Sequence, residues 1–230
     1  MSLKRQQQLC LDGIETCVGM TSVAYSRLRV SVWSHSEARR SSGPTSEISK
    51  VVLLDAWSLI DVTYKLRVLV GRTRGLKKNA AVKSFLKATD AVETLRHYVQ
   101  HLDRELGGLA DTGWPIWGSL SWAEPLPGGE EPTQIGISVL IPGSFAKSRG
   151  YPVVNPAGKV IEMPVDHISL STLGATVNLS DVARATALFG QRLEAAIVRA
   201  RQAQTEPSSG DGDAILRIVL DFDRGDQAPP

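Results

Sequence analysis

Arg96-His97-Tyr98-Val99-Gln100-His101 brings together residue types that can cleave a phosphodiester without a metal. The guanidinium of Arg96 can hold a phosphate, and the imidazole of His101 can move a proton or polarise the reacting hydroxyl. His97, directly after the arginine, is the polar helper. Proton transfer by a well-placed imidazole contributes on the order of 10²–10⁴-fold. Asp61, on a facing helix, is the carboxylate available to orient the histidine. The same run permits a second chemistry. Glu93, His97, His101 and Glu105 form a stripe at intervals of four, and two imidazoles one turn apart can share Zn²⁺ or iron. A facing helix would have to add ligands, for which Asp55 and Asp61 are the candidates. No paired Glu-x-x-His motifs occur on two helices, so a di-iron site is not expected. Against both stands a plain reading: Arg96 pairs with an acidic residue of its neighbour helix, and the stripe is solvated.

The elements that must position these groups are helical. Leu11, Ile14, Val18, Thr21, Tyr25, Leu28 and Val32 alternate at spacings of three and four, the seam of a first long helix. Ser41 to Ser46 is a turn in which Thr45 or Ser46 can cap the next helix. That helix, about Ile48 to Val70, is apolar around most of its circumference, as expected of the central member of a bundle. Gly71 to Asn79 is a basic connection. A third helix is expected from Ala80 to Leu106, with Val82, Phe85, Thr89, Val92, Leu95, Val99, Leu102 and Leu106 on its seam and Gly107-Gly108 ending it.

After Trp114-Pro115 the pattern changes to strand period. Ile116 to Trp122 alternates, with Trp122 on the buried side and Trp117 opposite. Gln134–Ile141, Tyr151–Val154, Val160–Met163 and His167–Leu173 read as further strands, with a hairpin turn at Asn155-Pro156-Ala157-Gly158. Gly174 allows a turn into Thr176-Val177. Ser180 and Asp181 suit the start of a helix that buries Val182, Ala185, Phe189, Leu193, Ile197 and Ala200. Thr205 to Asp213 reads as a linker, Ala214 to Phe222 as a last strand, and the tail from Asp223 as disordered. The fold class expected is α+β: a three-helix antiparallel bundle (1–110), then an antiparallel sheet with one packed helix (111–222), then the tail (223–230).

Composition bounds the function classes. The chain has 230 residues, 42% hydrophobic and 22% charged, ordinary for a globular protein with a real core. No apolar run approaches the roughly 20 residues of a membrane span. Cys10 and Cys17 stand about 10 Å apart along one helix, too far for a disulfide, and a reducing, cytoplasmic setting follows. The net charge of +2 divides unevenly: residues 1–110 carry 17 Lys/Arg against 10 Asp/Glu, and residues 111–230 carry 9 against 14. A basic first half suits an acidic partner, RNA included. Gly71-Arg72-Thr73-Arg74-Gly75-Leu76-Lys77-Lys78 lacks both P-loop spacing and a preceding strand, so no nucleotide cofactor is expected, although its basic residues leave it a candidate phosphate-contact loop. The serines near Asp166 and His167 lack a nucleophile elbow.

An arginine four to six residues before a histidine also occurs at Arg29–His35, and context favours Arg96. A polar residue follows it, and it lies on the third helix of an antiparallel-looking bundle, opposite Asp55, Asp61, Lys65 and Arg67. In these respects residues 1–110 resemble the HEPN superfamily (higher eukaryote and prokaryote nucleotide-binding domains). The resemblance implies an up-and-down helical bundle, a homodimer through the motif-bearing helix, and often metal-independent RNA cleavage by a toxin or defence effector. Arg96, His101, His97 and Asp61 would then be the catalytic set. The β-rich half has no counterpart in the minimal HEPN pattern. The reading from another class is a non-catalytic dimeric interaction or scaffold protein.

Overall fold

The computed structural model describes residues 5–41, 46–73, 76, 79–126, 134–143, 151–156 and 160–202. The expected linker at 205–213, the strand at 214–222 and the tail lie outside these residues. So do much of the 125–132 loop and parts of the turns at 41–46, 71–79 and 155–158.

Two long helices form the helical layer. Helix α1 (Arg5–Ser41) and helix α2 (Ser46–Arg72) pack against each other along their lengths. Ile14, Thr21, Leu28 and Val32 of the α1 seam are buried, with Tyr25 half-buried, as their spacing predicts. Helix α2 buries Val52, Ala56, Leu59, Ile60, Leu66 and Val70 against several neighbours.

The expected third helix is three helices: α3 (Ala80–Ala88), α4 (Asp90–Gln100) and α5 (Leu102–Thr112). The first break has a tertiary cause. Thr89 turns its hydroxyl back to the Phe85 carbonyl, and Arg67 from α2 donates to the Leu86 carbonyl and the Thr89 hydroxyl. Side chains thereby supply donors that an unbroken helix would take from its own backbone. At the second break His101 leaves helical geometry (φ −119°, ψ 29°), and Asp103 and Glu105 then favour a new N-terminus. The buried face changes register there. Tyr98 and Leu109 are buried, whereas Val99 and Leu102 are half-buried and Leu106 is exposed. Gly107-Gly108 does not end the element. Gly113 does, at φ +66°, donating its N–H to the Leu109 carbonyl.

The sheet is antiparallel with order β2-β1-β3-β4, from strands β1 (Ser119–Pro125), β2 (Ile135–Leu140), β3 (Asp166–Thr172) and β4 (Ala175–Asn178). Strand β1 begins three residues later than its alternation suggested, because Gly118 turns at φ +77° directly against the Ser171 carbonyl. Residues 151–154 and 160–163 form no strand. They carry Pro152 and adjoin Pro156 and Pro164, and Val153 and Val160 stay exposed, so neither has an apolar face to bury. Helix α6 (Leu179–Gln202) follows β4 directly. Asn178 caps it by accepting the Asp181 N–H, while the expected cap, Ser180, instead accepts the Ile168 N–H of β3.

One core joins both halves of the chain. Leu28 and Val32 of α1, Leu59 of α2 and Leu95 of α4 meet Leu120 and Trp122 of β1, Ile168 and Leu170 of β3, and Val182 of α6. A second cluster closes the far end of the helices around the stacked rings of Phe85 and Phe189, whose centroids lie 4.7 Å apart. Among the described residues no helix is long and apolar enough to cross a membrane.

Candidate functional site

Helices α2 and α4 bring Asp61 and Arg96 together. Arg96 Nε lies 3.0 Å from Asp61 Oδ1, and Lys65 Nζ lies 2.7 Å from Asp61 Oδ2. The Arg96 Nε–H makes no hydrogen bond, so the contact is ionic and not a directed bond. The Arg96 guanidinium also sits 6.0 Å above the Tyr64 ring, whose other neighbour is the His97 ring at 6.5 Å, edge-on. Asp61 therefore holds two cations, and the structure gives it no contact with His101. His97 and His101 are both exposed, and His101 is the residue at the α4–α5 break, its N–H bonded to the His97 carbonyl.

Arg96 does not open onto a polar cleft. It lines a groove of about 410 Å³ between α2 and α4, with Lys50, Leu53, Leu54, Trp57, Ile60, Asp61, Val99 and Trp117. Neither imidazole is among the lining residues. The floor is apolar, and Trp57 Nε1 donates to the Trp117 carbonyl across it. Tyr98, one residue from the groove wall, is buried with its hydroxyl on the Ile116 carbonyl. Burial, with the Glu105 carboxylate adding to it, pushes that phenol up to about 12.

The acidic members of the metal stripe are engaged or separated. Glu93 is 3.1 Å from Arg67, Glu105 belongs to α5 and not to α4, and Asp55 of the facing helix is 2.9 Å from Arg27. No group of three or more His, Cys, Asp or Glu side chains fit to hold a metal occurs among the described residues. The other Arg–His pair is dispersed. Arg29 donates to the carbonyls of Glu162, Met163 and Val165, and His35 is buried edge-on to Trp122 at 5.9 Å. Cys10 and Cys17 are both free thiols.

Two buried polar clusters were not anticipated. Glu124 accepts from Trp122 and Ser138 and lies 3.3 Å from Arg40. Burial alone would raise its pKa, but the bonds from Ser138, Ser36 and Trp122 and the Arg40 charge together hold it below the usual range. Asp166, fully buried, accepts the N–H groups of Glu162 and His167 and binds Arg184. These bonds outweigh burial and lower its pKa as well. A Trp two residues before a Glu carries no pattern that marks it in a sequence, and Asp166-His167, noted there for the serines near it, gives no sign that Arg184 of α6 closes on the carboxylate.

Compared with known protein families, curated proteins and solved structures, the chain matches none. The HEPN resemblance therefore stands on Arg96 to His101 and the helical layer alone.

Proposed function

We propose that the chain is a non-catalytic interaction protein that acts as a homodimer through its helical layer. One observation carries the reading: Arg96, the group that would bind a scissile phosphate, faces an apolar, tryptophan-floored groove and is held by Asp61, which Lys65 also neutralises. A phosphate entering there would have to displace Asp61 from Arg96 and be stripped of water against Leu54 and Trp117. Apolar grooves with a thin charged rim are instead what protein partners cover. A second copy fits because the exposed face beside the groove carries charges of both signs in an order that pairs with itself.

The ribonuclease reading makes a different set of demands, and one assay separates the two. Single-stranded RNA is incubated with the wild-type protein in EDTA, beside His101→Ala and Arg96→Ala. The interaction reading expects intact RNA in all three. Cleavage by the wild type that His101→Ala abolishes would overturn it and restore Arg96, His101, His97 and Asp61 as a catalytic set.

A further inference from the structure

Helix α2 leaves one face uncovered by any described element, and its residues fall in an informative order. Glu47, Lys50, Leu54, Ser58, Asp61 and Lys65 recur at spacings of three and four, so they share one side of the helix. Glu47, Lys50, Leu54 and Lys65 are well exposed, Leu54 at 61%. Val51 on its flank is 45% exposed. The charges read negative, positive, apolar centre, negative, positive. They already pair within the chain, Glu47 with Lys50 at 2.6 Å, and Asp61 with Lys65 at 2.7 Å and Arg96 at 3.0 Å, so what the face offers a partner is the order of two ion pairs and not free charges.

Helix α1 extends this face. Arg27 lies level with Asp55 through their ion pair, and Gly13 lies level with Leu69, so α1 and α2 run antiparallel with Val30 beside Val52 and Val23 beside Leu59. Val23 and Val30 are 61% and 66% exposed on the outer side of α1. On the other flank of α2 stands Trp117, also half-exposed. Isolated exposed apolar residues are ordinary, but Val23, Val30, Val51 and Leu54 fall within about two turns of the α1–α2 pair, with Trp117 on the groove side of α2.

We infer that this face binds a second copy of the same chain, α2 packing antiparallel on α2 about a two-fold axis between Leu54 and Ser58. The inference rests on the interaction reading above and gives it a surface and a register. The axis sets Glu47 opposite Lys65 of the partner subunit and Lys50 opposite Asp61 of the partner subunit. The same axis brings Val23 against Val30 of the partner subunit, and the two Trp117 side chains close to one another. A parallel arrangement would oppose like charges at each of these positions. Arg27, near the axis, is already neutralised by Asp55. From Glu47 to Lys65 the face is about 27 Å long at 1.5 Å per residue, and two helices make it about 20 Å wide. That footprint is about 540 Å², below the roughly 800 Å² per partner of a standard interface, so a dimer held in the micromolar range is expected. Exposed ion pairs add little affinity, so the apolar centre supplies the attraction and the charges choose the orientation.

The test is sedimentation of the full chain with charge-reversal variants, each checked for unchanged helicity by circular dichroism. Wild type is expected to be a dimer, and Leu54→Glu a folded monomer. Glu47→Lys alone, or Lys65→Glu alone, opposes like charges twice per dimer and loosens it about tenfold. Mixing those two variants restores opposite charges at both positions, so a heterodimer of wild-type stability is expected. The double variant in one chain recovers the homodimer. A wild-type monomer overturns the inference. So does a wild-type dimer that Leu54→Glu leaves intact, or a mixture no tighter than its components. RNA cleavage in the EDTA assay would refute the non-catalytic reading independently of these outcomes.

Discussion

Asp166→Ala is expected to be among the most damaging single substitutions in this chain. The carboxylate is fully buried where the chain enters β3, and three groups depend on it. Oδ2 accepts the Glu162 N–H at 3.0 Å, Oδ1 accepts the His167 N–H at 2.7 Å, and Arg184 Nη1 lies 3.1 Å from Oδ1. The His167 bond also supports a backbone at φ +49°, a region that non-glycine residues seldom enter. Alanine leaves two backbone donors without a partner, at about 1–3 kcal/mol each. Arg184 is 40% exposed and keeps Asp181 at 2.8 Å, so its share is screened and small. Relief of the buried charge returns part of the cost. A net loss of about 3 kcal/mol follows, read in urea unfolding as a midpoint lower by about 1 M at an unchanged slope. Asp181→Ala, which removes only the exposed partner of Arg184, should cost about 0.5 kcal/mol or less. The pH dependence has a definite sign. Because the folded pKa of Asp166 lies below its ordinary value, its stabilisation is complete above about pH 4 and disappears as pH falls through the folded pKa. If Asp166→Ala unfolds no earlier than Asp181→Ala, the carboxylate does not anchor this connection and the reasoning is wrong.

Three further outcomes follow from the same contacts. Gly118→Ala should destabilise by about 2 kcal/mol or more in the same urea assay, since Gly118 has φ +77° and an added Cβ overlaps the Ser171 carbonyl. Burial, and secondarily Arg39, lowers the pKa of His35 despite the opposing Glu124, so the folded state favours neutral imidazole. Thermal stability should therefore fall as pH drops from about 6.5 through the folded pKa, and His35→Gln should flatten that slope. Arg67→Ala should cost about 2–3 kcal/mol and fray the α3–α4 break, visible as faster amide exchange at Thr89 and Asp90, because it removes the donor to Leu86 and Thr89.

The elements that were legible in the sequence are those whose burial follows from local period. Ile14, Thr21, Leu28 and Val32 announce α1, the near-continuous apolar surface of Val52 to Val70 announces a central α2, and Leu120 and Trp122 announce the apolar side of β1, although its other side, with Ser119 and Ser121, is buried as well. The breaks at Thr89 and His101 were not legible. Local propensity across 80–106 is helical, and the break at Thr89 is stabilised by Arg67, a residue twenty-two positions away. Residues 151–154 and 160–163 have strand composition but no buried face, and Arg29 holds the second of them by its carbonyls. The site was partly legible for the same reason. That Arg96 faces a carboxylate on α2 could be foreseen from helix packing, whereas the apolar groove beneath it needs Trp117, which a turn after Pro115 delivers from outside the helices.

Sedimentation of the wild-type chain across about 1–100 µM decides whether the helical layer pairs with itself. A concentration-dependent dimer is expected, which Leu54→Glu converts into a folded monomer. A folded wild-type monomer over the whole range would contradict it.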